Sequence, residues 1–184
     1  PGAPGTPAYT DLAALAAAVD DGLPAPRWVL CPLARPEGEV PRAVRAVTHR
    51  ALDLVQRWLA DDRFADSRLV FVTEGAAAPD ATDLVLAPVW GLVRAAEAEN
   101  PGRFVLADLD GASGSHDRLT AVLATGEPEF ALHDGTLRVP RLVRGAGPDT
   151  AAAPDPEGTV LVTGGTGGLG ALIARRLVTE HGVR

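Results

Sequence analysis

Apolar and polar positions along this chain fall into blocks whose period changes from one block to the next. Asp11 to Val19 carries apolar residues at helical spacing, with Thr10 or Asp11 placed to cap the helix. Asp20-Asp21-Gly22 ends it, and Pro24 and Pro26 prevent its resumption. Arg27 to Leu33 is a short continuous apolar run, the pattern of a buried strand. From Pro41 onward Val44, Val47, Ala51, Leu54, Val55 and Trp58 share one helical stripe, with Arg42, Arg45, Arg50 and Arg57 away from it. Pro41 suits a first turn, where its missing N–H is not needed.

The alternation continues. Arg68 to Thr73 predicts a second buried strand, closed by Glu74-Gly75, and Leu84 to Glu99 a helix ended by Asn100-Pro101-Gly102. Arg103 to Asp108 predicts a third strand, and Asp117 to Thr125 a shorter helix stopped by Gly126. Glu129–Leu132 and Thr136–Val139 flank His133-Asp134-Gly135, a hairpin signal. Helices alternating with strands and then a hairpin indicate an α/β fold with a largely parallel sheet. Residues 145–157 lose all periodicity and are rich in Pro, Gly, Ala and Asp, as a linker between two subdomains would be.

After the linker comes the densest motif. Thr159 to Val162 is a β-prone run, Thr163 to Gly170 a glycine-rich turn, and Ala171 to Val178 a helical pattern. Two glycine registers fit this turn. Gly165, Gly167 and Gly170 satisfy G-x-G-x-x-G, while Thr163, Gly164, Gly168 and Gly170 satisfy T-G-x-x-x-G-x-G. Early glycines let the backbone turn tightly and approach phosphate, and the last lets the helix pack closely on what precedes it. The candidate cofactor-binding residues are therefore Gly164, Gly165, Thr166, Gly167, Gly168, Leu169 and Gly170, with the Thr166 hydroxyl an added donor. An acidic reader of the ribose, about 20 residues on, would fall near or beyond Arg184, so these residues do not choose between NAD and NADP.

Composition narrows the rest. Hydrophobic residues make up 46% of the 184, enough for a real core, and no apolar run is long enough to span a membrane. The first seven residues have neither a basic start nor an apolar signal core and read as a flexible leader. The net charge is −7 and every basic residue is arginine, a bias that follows the codon usage of a GC-rich genome. An acidic chain without a basic run is not a general nucleic-acid binder. The single cysteine, Cys31, reads as a buried thiol and forms no disulfide within the chain, which fits a reducing cytoplasm.

Other chemistry-bearing residues read as structural. Ser115-His116-Asp117 has triad residue types, but consecutive residues cannot make a through-space relay, and the stretch reads as a helix cap. His49, His133 and His181 lack partners at metal-ligand spacing. His133 reads as a turn residue and His49 as part of a helix face. Asp108 and Asp110 close a strand and are expected to cap the following turn rather than to act as an acid pair. Glu97 and Glu99 read as a solvated helix end. Trp28, Trp58 and Trp90 suit core or subdomain-contact positions, because no basic groove accompanies them.

The glycine stretch TGGTGGLG, preceded by GTVLV, resembles the short-chain dehydrogenase/reductase superfamily, and more narrowly the ketoreductase domain of a modular type I polyketide synthase. Supporting segments are Pro88 to Arg94, Glu99 to Arg103, Leu106 to Leu109, the Glu129 to Arg144 hairpin region and Glu180 to Arg184. The resemblance covers nearly the whole chain. It implies a Rossmann-like, truncated structural subdomain over residues 1–147, a linker over 148–157, and the first βα arm of an NADPH-binding catalytic subdomain over 158–184. The structural half of such domains binds no cofactor, and the strands before the linker here indeed lack a glycine-rich phosphate turn.

By resemblance, the whole domain reduces the β-keto group of an acyl chain held on an acyl carrier protein by phosphopantetheine, using hydride from NADPH. Its partners are the remaining catalytic subdomain, that carrier protein and neighbouring synthase domains. The family's catalytic Tyr, Ser, Lys and Asn have no counterparts here. Tyr9 lies in the leader, lysine is absent, Asn100 belongs to the structural half, and the arginine that reads the 2′-phosphate would follow Arg184. Asp108-Leu109-Asp110 is not the family's Leu-Asp-Asp motif, which occurs in the catalytic half. These residues alone are therefore expected to be inactive. The direct passage from hairpin to glycine loop leaves no space for an inserted enoylreductase domain. Three alternatives stay open: a reductase-inactive scaffold or epimerase-type relative, a non-catalytic interaction module, and another short-chain reductase with an N-terminal extension.

Overall fold

A computed structural model describes residues 7–77, 83–145 and 154–183. The chain divides into two compact units, Pro1–Arg141 and Leu142–Arg184. Unit 1 contains, in order, α1 (Leu12–Asp20), β1 (Trp28–Pro32), α2 (Val40–Leu59), a 3₁₀ turn (Asp62–Phe64), β2 (Arg68–Glu74), α3 (Ala87–Glu99), β3 (Phe104–Leu109), α4 (Ser113–Leu123), β4 (Glu129–His133) and β5 (Thr136–Arg138). Unit 2 contains α5 (Gly168–His181). The fold is α/β, as the alternating pattern predicts.

The strands form one sheet in the order β1-β2-β3-β4-β5. The first four run parallel and β5 returns antiparallel to β4. The β4–β5 turn uses Asp134 (φ 49°) and Gly135 (φ 67°), both left-handed, the two-residue turn whose twist matches a hairpin. β2 and β3 are apolar nearly throughout because both of their faces are covered. Leu69, Phe71, Phe104 and Leu106 pack with α1, α2 and α3. Val70, Val72, Val105, Ala107, Leu109, Phe130 and Leu132 pack with Leu119, Val122 and Leu123 of α4. Burying each large apolar side chain stabilises by roughly 1.5–3 kcal/mol.

Helix α2 forms its predicted stripe with a slight rotation. Ala43, Val47, Ala51, Val55 and Trp58 are buried, whereas Val44 and Leu54 are half-buried at its border. Trp58 is fully enclosed and stacks on Phe64 with ring centroids 4.8 Å apart. Asp11 caps α1, its carboxylate accepting the Ala14 N–H at 2.8 Å.

Several expectations need correction. β1 is an edge strand, so Leu30 and Pro32 are exposed rather than buried. The helix expected from Leu84 begins at Ala87, because the Asp83 carboxylate accepts the N–H groups of Val85 and Leu86 in a preceding turn. α4 begins at Ser113, four residues before the expected start, since Asp110 holds its first turn. Glu97 is not a solvated end. Its two oxygens accept the N–H groups of Gly102 (2.6 Å) and Phe104 (2.8 Å), which the turn into β3 would otherwise leave without acceptors. Residues 159–162 pair with no strand among the described residues, for a β-prone run needs a neighbour to complete its ladder. Most of the expected linker, residues 146–153, lies outside the described residues.

Candidate functional site

The glycine turn of unit 2 is built by three close backbone approaches. Gly164 takes φ 69°, a left-handed conformation that a side chain would strain. The Gly165 N–H donates to the Val162 carbonyl (3.2 Å) and the Gly167 N–H to the Gly164 carbonyl (2.9 Å), which folds the chain into two successive tight turns. At Gly170 a Cβ would lie 2.6 Å from the Gly164 carbonyl carbon, 2.9 Å from Gly165 Cα and closer still to the Gly164 oxygen. No side chain fits there. The last glycine of the motif is thus required by the packing of the first turn of α5 against the loop.

The opposite side of the turn is open. A Cβ at Gly168 would meet nothing within 4 Å, and Thr166, Gly167, Gly168 and Leu169 are exposed. Gly167 is the N-cap of α5 and supplies no side-chain bond. The first bond into the helix is Ala171 N–H to the Gly167 carbonyl at 2.8 Å. The N–H groups of Gly168, Leu169 and Gly170 come before it and have no acceptor within the helix. Such donors, together with the positive end of the helix dipole, favour an anion. α5 ends at Gly182 (φ 67°), an ordinary left-handed cap.

Unit 1 has a strand-to-helix turn of a different kind, at the carboxyl end of β2. Asp108, fully buried on β3, sits opposite Thr73 in the parallel register. Its Oδ1 accepts the Thr73 hydroxyl (2.7 Å) and the Ala76 N–H (2.9 Å). Its Oδ2 accepts the Ala77 N–H (3.3 Å) and lies 3.1 Å from His133 Nε2. The Trp90 indole N–H donates to Thr73 Oγ1 at 3.0 Å. Asp110 has its own donors: the Ser115 hydroxyl (2.7 Å), Asp134 N–H (2.8 Å) and Ala112 N–H (3.0 Å). These bonds, that of Ser115 foremost, hold its carboxyl down to about 2, and nearby His133 adds to the shift.

The other candidate residues are dispersed. Ser115 is buried inside α4 and serves Asp110 rather than capping the helix, while the side chains of His116 and Asp117 lie outside the described residues. His49 is exposed on α2, as expected. Cys31 is partly buried on β1, and that burial pushes its thiol up from the ordinary value. Trp90 belongs to the core, as expected, and Trp28 is half-buried beneath the Arg27 guanidinium, 4.5 Å from its ring. Among the described residues no group of three His, Cys, Asp or Glu could hold a metal ion. No helix among them is long and apolar enough to cross a membrane.

Comparison with known proteins agrees with this architecture. Residues 2–142 match the family described as the Rossmann fold domain of the polyketide synthase extender module SpnB. The chain belongs to that family. It is 50% identical to the spectinabilin polyketide synthase system protein NorA′ of Streptomyces orinoci over 97% of its own length and 5% of the relative's. It is 49% identical to polyketide synthase GfsA of Streptomyces halstedii, over 95% of this chain and 2% of that one. With the pikromycin polyketide synthase component PikAII of Streptomyces venezuelae it shares 43% identity over 78% of this chain and 5% of that protein. The chain spans about one-twentieth or less of these relatives.

The family match, residues 2–142, spans all the described residues of unit 1, so the sheet with its Asp108 network is the family's Rossmann fold domain. Reading the sequence by local motifs missed that network. Its members come from β2, the following loop, α3, β3 and β4. The one local signal was a carboxylate at the end of an otherwise apolar strand, Phe104 to Asp108, where a buried charge demands donors.

Proposed function

We propose that this chain is part of a ketoreductase within a modular polyketide synthase. Residues 1–147 form its non-binding structural subdomain, 148–157 a linker, and 158–184 the first arm of its NADPH-binding catalytic subdomain. The parent domain reduces the β-keto group of an acyl chain carried on phosphopantetheine by an acyl carrier protein, and it works in the cytoplasm beside other synthase domains. The observation that carries this reading is the glycine turn: closed on one side by the Gly170–Gly164 approach, open on the other, with uncapped N–H groups at the start of α5.

These residues fit a dinucleotide pyrophosphate. The N–H groups of Gly168, Leu169 and Gly170 bind phosphate oxygens, the Thr166 hydroxyl adds a donor, and the absence of a side chain at Gly168 lets the phosphate reach the backbone. When bound, NADPH supplies the hydride. This chain holds and orients the cofactor's phosphates and does not supply the family's tyrosine and lysine, for its single tyrosine is Tyr9 and it has no lysine.

The test is an NADPH titration of the intact reductase domain that includes this sequence, followed by nicotinamide fluorescence. Gly168→Trp places its bulk in the open space of the seat while leaving the loop's internal bonds intact. Loss of saturable binding is expected, and unchanged affinity overturns the assignment. The 184 residues by themselves are expected to give no turnover of a model β-ketothioester with NADPH, and measurable reduction would contradict the placing of the catalytic groups outside them.

A further inference from the structure

The end of β2 in unit 1 has the donors of an anion site and already holds the carboxyl group of Asp108. Two consecutive backbone N–H groups, of Ala76 and Ala77, converge with the Thr73 hydroxyl on one carboxyl group, Ala76 and Thr73 at Oδ1 and Ala77 at Oδ2. The Trp90 indole N–H donates to the Thr73 oxygen, and the Thr73 hydroxyl proton is directed at Asp108 Oδ1 at 2.7 Å in preference to the Ala107 carbonyl at 3.5 Å. His133, with its proton placed on Nε2, completes the set at Oδ2. Successive N–H groups at a turn beyond a strand are the usual seat of a bound anion in α/β sheets. Here the occupant arrives from the neighbouring strand, more than 30 residues away in sequence from each loop donor.

We propose that this cluster is a small-carboxylate binding site whose resident ligand is the side chain of Asp108. The site suits a planar carboxylate rather than a tetrahedral phosphate, because its donors serve two oxygens, the Thr73 hydroxyl and Ala76 N–H on one, the Ala77 N–H and His133 on the other. The same occupancy takes up the Ala76 and Ala77 N–H groups, the donors that a nucleotide phosphate would need at this turn. The inference concerns unit 1 alone and stands whether or not the glycine turn of unit 2 binds NADPH.

Asp108→Ala removes a group equivalent to formate, and Asp108→Gly one equivalent to acetate. The thermal unfolding midpoint of the full 184-residue chain is read against each anion, with sodium chloride at equal ionic strength as control. Asp108→Ala is expected to unfold at a lower temperature than the wild type and to recover by about 3 °C or more in formate, saturably, as one-site binding to the folded state requires. Asp108→Gly is expected to respond better to acetate, and inorganic phosphate to restore neither. Asp108→Asn, whose neutral amide fills the seat, is expected to be destabilised and unresponsive. If Asp108→Ala is unfolded in buffer, folding induced by formate supports the site. Failure to fold at any formate concentration overturns it, as does an equal response of wild type and variant, or an Asp108→Asn chain as stable as the wild type.

Discussion

Two of the loops that lead from an extended segment into a helix, the one after β2 and the glycine loop, make a controlled comparison within one chain. The loop after β2 turns the Ala76 and Ala77 N–H groups onto Asp108, and the helix that follows, α3, buries Val89, Trp90, Val93 and Ala96. The glycine loop leaves its helix-start donors outward, and the helix that follows, α5, has no buried residue, with Leu169, Leu172 and Val178 all more than half exposed. In one loop the donors of Ala76 and Ala77 are taken by the protein's own carboxyl group beside a buried core. In the other the donors before Ala171 have no acceptor within the helix, and the apolar residues of the helix are exposed. Backbone geometry alone does not separate a ligand site from a structural turn. What separates them is whether the donors are already occupied.

The comparison can be broken or sharpened by experiment, beginning with the largest effect. Gly170→Val drives a side chain into the Gly164 carbonyl, so on the proposed assignment the affinity of the intact domain for NADPH should fall at least ~100-fold, equivalent to about 2.7 kcal/mol. Retained affinity would mean that the close approach is not needed for the seat. Trp58→Ala empties the centre of unit 1, with an expected cost of about 3–5 kcal/mol in chemical unfolding, whereas Leu172→Ala on the exposed face of α5 should cost little in this chain. Equal costs would remove the contrast between a finished and an unfinished core.

The smallest effect is one of pH. The Asp110 carboxyl is held down to about 2 in the folded chain by the Ser115 hydroxyl and the Asp134 and Ala112 N–H groups. A group depressed on folding contributes stability above its unfolded value, and that contribution is lost as pH falls toward the folded one. The difference in unfolding midpoint between wild type and Asp110→Asn should therefore be full at pH 6 and shrink between about pH 4 and pH 2. A difference that stays constant to pH 2 would show that Asp110 acts by shape alone.

Much of this was legible from local pattern. Continuous apolar runs located β2 and β3 because strands covered on both faces need no polar alternation, and Asp134-Gly135 located the hairpin because few residues accept two left-handed positions in succession. Periodicity placed α2 but not its rotation, which was set by packing against Phe64 and α3. The starts of α3 and α4 were missed because a carboxylate sets each: Asp83 holds the apolar Val85 and Leu86 in a turn before α3, and Asp110 holds Ala112 and Ser115 ahead of the first apolar residue of α4.

The glycine loop shows where the two kinds of information divide. Sequence alone determined that residues 163–170 must turn tightly and lead into a helix, since glycine spacing is a constraint on local backbone conformation. Only the tertiary structure decided which glycine is enforced by contact, Gly170 against Gly164, and which faces open space, Gly168. It alone showed that the β2–α3 loop carries a comparable set of donors already filled by Asp108. Conformational preference is written residue by residue along the chain. Occupancy of a donor depends on what distant strands bring beside it.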